Sequence, residues 1–170
     1  VHGADLRGHG LGRASDPETD GAGRKTEMKV RIKFSKEGPV RFIGHLDIMR
    51  YFQKAIRRAG IDIAYSTGFS PHQIMSFASP LSVGHESCGE YFDVELNSIT
   101  DTEDIKMRLN QTMAEGIQIL QVAVLDETEG NAMASVAAAD YLISFRDSVS
   151  LPDDWKEKLT AFYKKYKIPV

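Results

Sequence analysis

The pattern of apolar and polar positions predicts several strands that each bury one face. Residues 29–34 alternate between cations and large apolar side chains, and residues 90–96 alternate between acidic or tyrosine side chains and apolar ones. Such alternation is typical of a half-buried strand, and here it predicts one strand with a basic outer face and one with an acidic outer face. Residues 117–125 are mostly apolar and predict a further strand. Shorter strands are predicted at 61–66 and 73–78.

Two amphipathic helices are predicted between these strands. The first runs from about His45 to Ala59, with Met49, Phe52 and Ile56 as its apolar stripe. The second has a capping box of Thr100 and Glu103, an apolar stripe of Ile105, Leu109 and Met113, and an end at Gly116.

The ends of the first helix carry their own signals. Gly44 occupies the predicted N-cap position, and the carboxylate of Asp47 three residues later offsets the positive end of the helix. Gly60 is suited to the left-handed position that follows many helices. The turn that comes next, residues 67–71, contains Gly68, which is free to take a positive φ.

The order of elements from Met28 onwards is β-α-β-(β)-β-α-β, which predicts an α+β fold. Two helices interleaved with an antiparallel sheet form the split β-α-β, or ferredoxin-like, sandwich. We assign residues 28–128 to this domain. Residues 1–27 show no alternation and no helical period, so we expect them to form a disordered leader.

Residues 129–170 predict a linker followed by a second β-α unit. Tyr141, Ile143 and Phe145 alternate as in a strand, and Trp155, Leu159, Phe162 and Tyr166 recur with helical spacing. One strand and one helix do not make an independent core. We therefore expect this unit either to pack on the first domain or to be the truncated start of a second, similar domain.

Composition narrows the class of protein. The 170 residues include 42% hydrophobic and 26% charged residues, which is ordinary for a globular protein. No apolar run reaches the roughly 18 residues of a membrane helix, so no membrane contact is expected. A single cysteine excludes an intrachain disulfide framework and favours a cytoplasmic location.

Charge is distributed unevenly along the chain. Residues 28–72 hold nine Lys or Arg against three Asp or Glu, whereas residues 73–154 hold three against fifteen. One interpretation is a positive face presented to an anionic partner, and the other is neutralisation of one half by the other across an internal contact.

Four motifs in fixed order resemble a known family. They are Gly44-His45-Leu46-Asp47, Ala55-Ile56-Arg57-Arg58-Ala59-Gly60, Tyr65-Ser66-Thr67-Gly68-Phe69-Ser70-Pro71-His72 and Pro80-Leu81-Ser82-Val83-Gly84-His85-Glu86-Ser87. From Met28 to Val170 the chain is similar to the radical-SAM-linked proteins, a bacterial domain of unknown function. Gly44 departs from the family pattern, in which this position is usually Ser. The resemblance implies a partner, because members are fused to or encoded beside cobalamin-binding radical SAM proteins, often near a ribonuclease of the E/G type.

A cationic patch with interleaved aromatic side chains is the main candidate site. Single-stranded RNA binders need cations for phosphates and rings for base stacking. The candidate residues for binding RNA or another anion are Arg41, His45, Arg50, Arg57, Arg58, Phe69 and His72. The ordinary alternative is a solvated helix face, and adjacent Arg57 and Arg58 point roughly 100° apart.

Catalytic and metal signals are weak. His45 and His72 are the candidates for a general base. The pair of His45 and Asp47 also suits an anion site at a helix start. The spacing His85-x-x-Cys88 lacks the second pair that a zinc site needs, so no metal is expected. No cysteine triplet for an iron–sulfur cluster and no nucleotide-binding motif is present, so no cofactor is expected and the chain is not itself a radical SAM catalyst.

Three hypotheses on function follow. The leading one is a non-catalytic accessory module that works with a radical SAM protein and contacts RNA or another anionic partner through the basic helix and the adjacent turn. The second, by analogy of fold alone, is a ferredoxin-like endoribonuclease with a His general base. The third is a protein–protein adaptor that binds no nucleic acid and uses the open sheet face or the acidic strand.

Overall fold

The structure is a computed structural model, and it divides the chain into two compact units with their boundary between Ala137 and Ala138. The residues it describes are 28–98, 101–126, 128–145 and 148–165. The predicted leader at 1–27 therefore lies outside the described residues.

The first unit is built on a four-stranded antiparallel sheet. Its strands are β1 (Met28–Lys36), β2 (Met75–Phe77), β3 (Ser87–Leu96) and β4 (Ile117–Val124). Across the sheet they lie in the order β2-β3-β1-β4, so that β1 and β3 are central. Helix α1 (His45–Arg58) lies in the chain between β1 and β2, and helix α2 (Thr102–Asn110) lies between β3 and β4. The predicted α+β, ferredoxin-like split β-α-β fold is thereby confirmed.

Apolar side chains from β1, β3 and the two helices form one core. Val30, Ile32 and Phe34 of β1 are all buried, as the alternation predicts. The ring of Phe34 lies 4.8 Å from that of Phe52 on α1 in an edge-to-face arrangement, and Phe52 in turn lies 4.7 Å from Phe92 on β3. This aromatic cluster fixes α1 against the sheet.

Two predicted elements differ from the observed ones. Residues 61–66 form only two isolated bridges, Ile63 with Leu96 and Tyr65 with Gln73, rather than a strand. The predicted strand at 73–78 is reduced to the three residues of β2. Both segments belong to one irregular hairpin, whose long turn leaves few positions with a ladder partner.

Helix α2 begins later and ends earlier than predicted. Its N-cap is Asp101, whose carboxylate accepts a hydrogen bond from the Glu103 N–H at 3.3 Å, while Thr100 lies outside the described residues. The helix ends at Asn110. The side-chain amide of Asn110 pairs with the backbone of Ile119, donating at 3.0 Å and accepting at 2.9 Å. Met113 therefore lies beyond the helix, although it still packs against the core.

The sheet face opposite the helices carries a partly buried ion pair. Arg31 donates to the two carboxylate oxygens of Asp93 at 2.9 and 3.1 Å, and Asp93 is only 4% exposed. A short helix, α3 (Ala132–Ser135), packs beside β2 and β3 and buries Ala132. Arg31 also donates to the carbonyl of Gly130 at 3.1 Å. The segment from Gly130 through α3 therefore covers part of this face, where the sequence predicts only a linker.

The second unit contains helix α4 (Trp155–Lys165), which confirms the predicted amphipathic helix up to the last described residue of that helix. Tyr166 lies outside the described residues. Residues 141–145 adopt no regular secondary structure, in contrast with the predicted strand, and they have no ladder partner in the described part of the chain. No helix among the described residues of the chain is long and apolar enough to cross a membrane.

Candidate nucleic-acid interface

Helix α1 has one face for the core and one for solvent. Ile48, Phe52, Ala55 and Ile56 are buried against the sheet. Ile48 rather than the predicted Met49 begins this apolar stripe, and Met49 is half-buried at its border. The helical period that aligns these residues also aligns the polar ones on the opposite side.

Three cations form the outward face of α1. Arg50, Lys54 and Arg57 are exposed and lie within roughly 60° of one another around the helix axis. We call these three residues the basic stripe. The contact of Arg50 with an acid is a long one, 3.4 Å to the exposed carboxylate of Asp47. Such pairs contribute little to stability, so the charges of the stripe are available to a partner.

The C-terminal end of α1 is held firmly. Gly60 has a φ of +63°, and the N–H groups of Gly60 and Ile61 donate to the carbonyls of Arg57 and Ile56, the pattern of a Schellman cap. The guanidinium of Arg108 on α2 donates to the carbonyls of Ala59 and Gly60 at 2.6 Å each. A cation at this helix end also opposes the negative end of the helix dipole.

The N-terminal end of α1 is simpler. Gly44 is the N-cap, as predicted, but has no side chain to accept a hydrogen bond. The carboxylate of Asp47 lies in the first turn, where it offsets the positive helix end. Gly44 also accepts backbone hydrogen bonds from Asp47 and Ile48 at 3.2 and 3.0 Å.

An aromatic hairpin, residues 65–73, follows α1. Its neck is closed by the Ser66 hydroxyl, which lies 2.8 Å from Nδ1 of His72 and accepts from the His72 N–H at 3.1 Å. Gly68 has a φ of +115°, which allows the chain to reverse. Phe69 at the tip is fully exposed. An apolar ring in this position is a stacking surface for a planar partner.

One backbone carbonyl joins the aromatic hairpin to the basic stripe. The carbonyl of Gln53 accepts from Nε of Arg57 and from Nε2 of Gln73, both at 3.3 Å. Gln73 is 6% exposed and belongs to the hairpin, while Arg57 belongs to the stripe. The basic stripe and the aromatic hairpin are therefore connected through this one carbonyl.

His45 lies away from the basic stripe. Its ring packs edge-on against Phe77 at 5.3 Å. It lines a small cavity of about 20 Å³, room for a single water, together with Lys36, Phe77, Ser79 and Glu90 among others. His45 and Arg50 point roughly 140° apart around α1. The two histidines considered as general bases therefore lie in different surroundings. His45 lines a small cavity, whereas His72 belongs to the exposed hairpin.

Arg41 and Arg58 serve other contacts. Arg41 donates to Glu86 at 2.8 Å and lies over the ring of Phe42, and the Gly38 N–H donates to the same carboxylate oxygen at 2.9 Å. The hydrogen bond from Arg41, followed by that from Gly38, lowers the pKa of Glu86 below its ordinary value of 4.5. Arg58 reaches the carbonyl of Thr112 at 3.3 Å, on the flank of the stripe.

Lys36 is a buried cation that the sequence reading missed. It is 2% exposed, and its ammonium donates to the carbonyls of Ile43 at 2.8 Å and Arg41 at 3.4 Å. Burial lowers the pKa of Lys36 from its ordinary 10.5, and the nearby charge of Glu90 partly opposes this. The sequence does carry a signal for this burial. If the alternation of β1 is continued for two residues beyond Phe34, Lys36 falls on the same buried face as Phe34.

The segment around the His85-x-x-Cys88 spacing has no metal-binding geometry in the described part of the chain. Glu86 is bound to Arg41, and Cys88 is exposed at the start of β3. Within the described ranges, no group of three His, Cys, Asp or Glu side chains is arranged to hold a metal ion.

Comparison with known proteins places the chain in a family. No curated protein matches it. Residues 29–170 match the family described as an uncharacterized protein conserved in bacteria. The match begins at the second residue of β1 and continues through α4. The chain therefore belongs to this uncharacterized bacterial family, DUF2344.

Proposed function

We propose that this protein is a non-catalytic accessory module that binds RNA through the basic stripe and the aromatic hairpin. The observation that supports this most is the shared carbonyl of Gln53, which ties Arg57 of the stripe to Gln73 of the hairpin. Single-stranded RNA requires this combination, because its phosphates need cations and its unpaired bases need exposed rings.

Geometry favours a single strand over a duplex. Phe69 projects from the hairpin without covering contacts, and only an unpaired base presents a free face to such a ring. The three stripe residues follow α1 along its exposed side, which suits successive phosphates of an extended strand.

The test is a titration of the full chain with a fluorescent single-stranded RNA of about eight nucleotides at 50 and 200 mM salt. The wild type binds with a clear salt dependence. The variant with Arg50→Gln, Lys54→Gln and Arg57→Gln loses affinity, and its salt slope falls by about two, since each phosphate contact on a single strand contributes about 0.7.

The chain offers a control with the same loss of charge. Lys156, Lys158 and Lys164 are exposed on α4 in the second unit, and their triple change to Gln leaves binding unchanged. Equal losses in the two triple variants, or no binding by the wild type, would overturn the proposal. Phe69→Ala reduces affinity without altering the salt slope, because a ring contributes no charge.

The proposal includes a protein partner, a radical SAM protein, and this part is supported by the motif resemblance alone. Co-purification of the chain with a radical SAM protein encoded beside it tests this part. Absence of a stable complex would remove the partner from the proposal and leave RNA binding to be judged by titration.

Catalysis is tested in the same samples. RNA recovered after incubation remains intact, as expected of a non-catalytic module. Cleavage that His45→Ala or His72→Ala abolishes would overturn the non-catalytic assignment and support the endoribonuclease with a His general base.

A further inference from the structure

The side-chain amide of Gln73 is buried with one atom unsatisfied. Its Nε2 donates to the Gln53 carbonyl at 3.3 Å and to the Tyr65 hydroxyl oxygen at 3.4 Å. Its Oε1 has no hydrogen-bond partner, and no other buried side-chain polar atom in the described part of the chain shares this state. Leaving a buried acceptor unpaired costs free energy, so such an atom calls for a physical reason.

The orientation of the amide is set by its neighbours. If oxygen and nitrogen exchanged places, Oε1 would face the Gln53 carbonyl, and two acceptors would be in contact. Nε2 therefore faces Gln53, and the acceptor remains on the other side of the amide.

Tyr65 is the neighbour of this amide on the exposed side of the hairpin. Tyr65 and Gln73 are bridge partners across the hairpin, so their side chains share one of its faces. Tyr65 is 48% exposed, and its hydroxyl accepts the long hydrogen bond from Gln73. Rotation of this half-exposed ring would break only one long hydrogen bond, that from Gln73 Nε2.

We propose that Gln73 reads an unpaired base that carries an exocyclic amino group. The base stacks at the aromatic hairpin beside Phe69, Tyr65 turns aside, and the amino N–H donates to Oε1 of Gln73. Adenine, cytosine and guanine have such a group and uracil does not. This inference rests on the proposed RNA binding and specifies the class of base that the site accepts.

The test compares three eight-nucleotide RNAs that differ at one central position, which is adenine, purine or abasic. Purine stacks like adenine but lacks the amino group, so the adenine-to-purine ratio isolates the hydrogen bond. The wild type binds the adenine strand about threefold to tenfold more tightly than the purine strand, the range for one net hydrogen bond. Gln73→Leu binds both strands equally.

Tyr65→Phe is the matched control, because it removes the hydroxyl and keeps the ring. It retains the preference for adenine. A loss of preference in Tyr65→Phe would assign the reading to the tyrosine hydroxyl and overturn the inference. Equal binding of adenine and purine by the wild type would overturn it without any variant, and it would indicate that an internal water satisfies Oε1.

These outcomes are separate from the fate of RNA binding itself. If the wild type binds RNA with a salt dependence but with equal affinity whatever the central base, the proposed function stands and the base selectivity of Gln73 is excluded. A wild type that binds none of the three strands removes both.

Discussion

The cations of β1 and its neighbouring turn differ from those of α1. Arg31 is held by Asp93, Lys36 by two carbonyls and Arg41 by Glu86. Arg50 and Lys54, by contrast, point from α1 into solvent. The first group has its charge engaged within the fold, whereas the charge of the second group is exposed to solvent. A count of charges over residues 28–72 cannot separate the two groups, because they differ only in burial and in their hydrogen-bond or ion-pair partners.

This comparison has a thermodynamic consequence. Removing the partner of a buried charge leaves that charge unsolvated and costs several kcal/mol, whereas an exposed pair contributes at most about 1 kcal/mol. Changes near β1 should therefore alter folding, and changes on the basic stripe should alter binding.

The largest expected effect is at Asp93. Asp93→Ala leaves Arg31, whose side chain is 18% exposed, without its carboxylate and lowers the free energy of unfolding by about 3 kcal/mol. Urea denaturation followed by circular dichroism measures this loss. Arg50→Ala, which breaks the exposed pair with Asp47 and leaves the carboxylate at the helix start in place, is the control and costs less than about 1 kcal/mol. Equal losses in the two variants would contradict the distinction drawn above.

Lys36 gives a pH-dependent effect. Burial lowers its pKa in the folded protein, so the folded state binds this proton less tightly than the unfolded state does. Between that lowered pKa and the ordinary 10.5, the contribution of Lys36 to stability rises with pH, and above 10.5 it is constant.

Urea denaturation of wild type and Lys36→Met at pH 7 and pH 10 measures this effect, since the difference between the two proteins removes the other titrating groups. The difference shifts in favour of the wild type at the higher pH. A difference that is independent of pH would show that the ammonium is not penalised by burial.

Glu86 gives a smaller and local effect. Its pKa is lowered in the folded protein, so its stabilising contacts are present above about pH 4.5 and are lost as the pH falls through the lowered pKa. Hydrogen exchange at the Gly38 amide, which donates to Glu86, measures the contact. At pH 6 the wild type protects this amide better than Glu86→Gln does, and below the lowered pKa the two exchange alike. Unequal protection at the lowest pH would point to another acceptor.

The smallest effect on folding belongs to the basic stripe. The triple change of Arg50, Lys54 and Arg57 to Gln alters the free energy of unfolding by less than about 0.5 kcal/mol per site, because these residues are exposed. Thermal unfolding measures it. A large loss of stability would move the stripe into the first group of cations and would undermine its assignment as a binding surface.

Much of the fold could be predicted because its signals are local. The alternation of β1 and β3 and the glycines that flank α1 each follow from a few neighbouring residues. Lys36 was missed because the predicted strand stopped at Phe34, and a lysine is rarely expected in a core. The strand predicted at 61–66 is absent because only Ile63 and Tyr65 find bridge partners there, and the sequence does not show how few positions will pair. The burial of Ala132 by packing beside β2 and β3 is non-local.

The candidate site was predictable only in part. Helical spacing places Arg50 and Arg57 on one face of α1, so the stripe can be read from the sequence. The connection to the aromatic hairpin cannot, because it passes through the Gln53 carbonyl and the Gln73 amide, two groups with no distinctive pattern. The ion pair between Arg41 and Glu86 could not be predicted from the sequence either.

The central position of β1 has a consequence for how fast the chain reaches this fold. Val30 pairs with Val94 on one side and with Val124 on the other, so β1 cannot complete either ladder until much of the chain has been brought together. Closing such long loops costs entropy before any contact repays it, and folds dominated by distant pairings form slowly. Helix α1, whose backbone hydrogen bonds are local, can begin to form earlier. We therefore expect α1 to cover the apolar face of β1 before the neighbouring strands have paired with it.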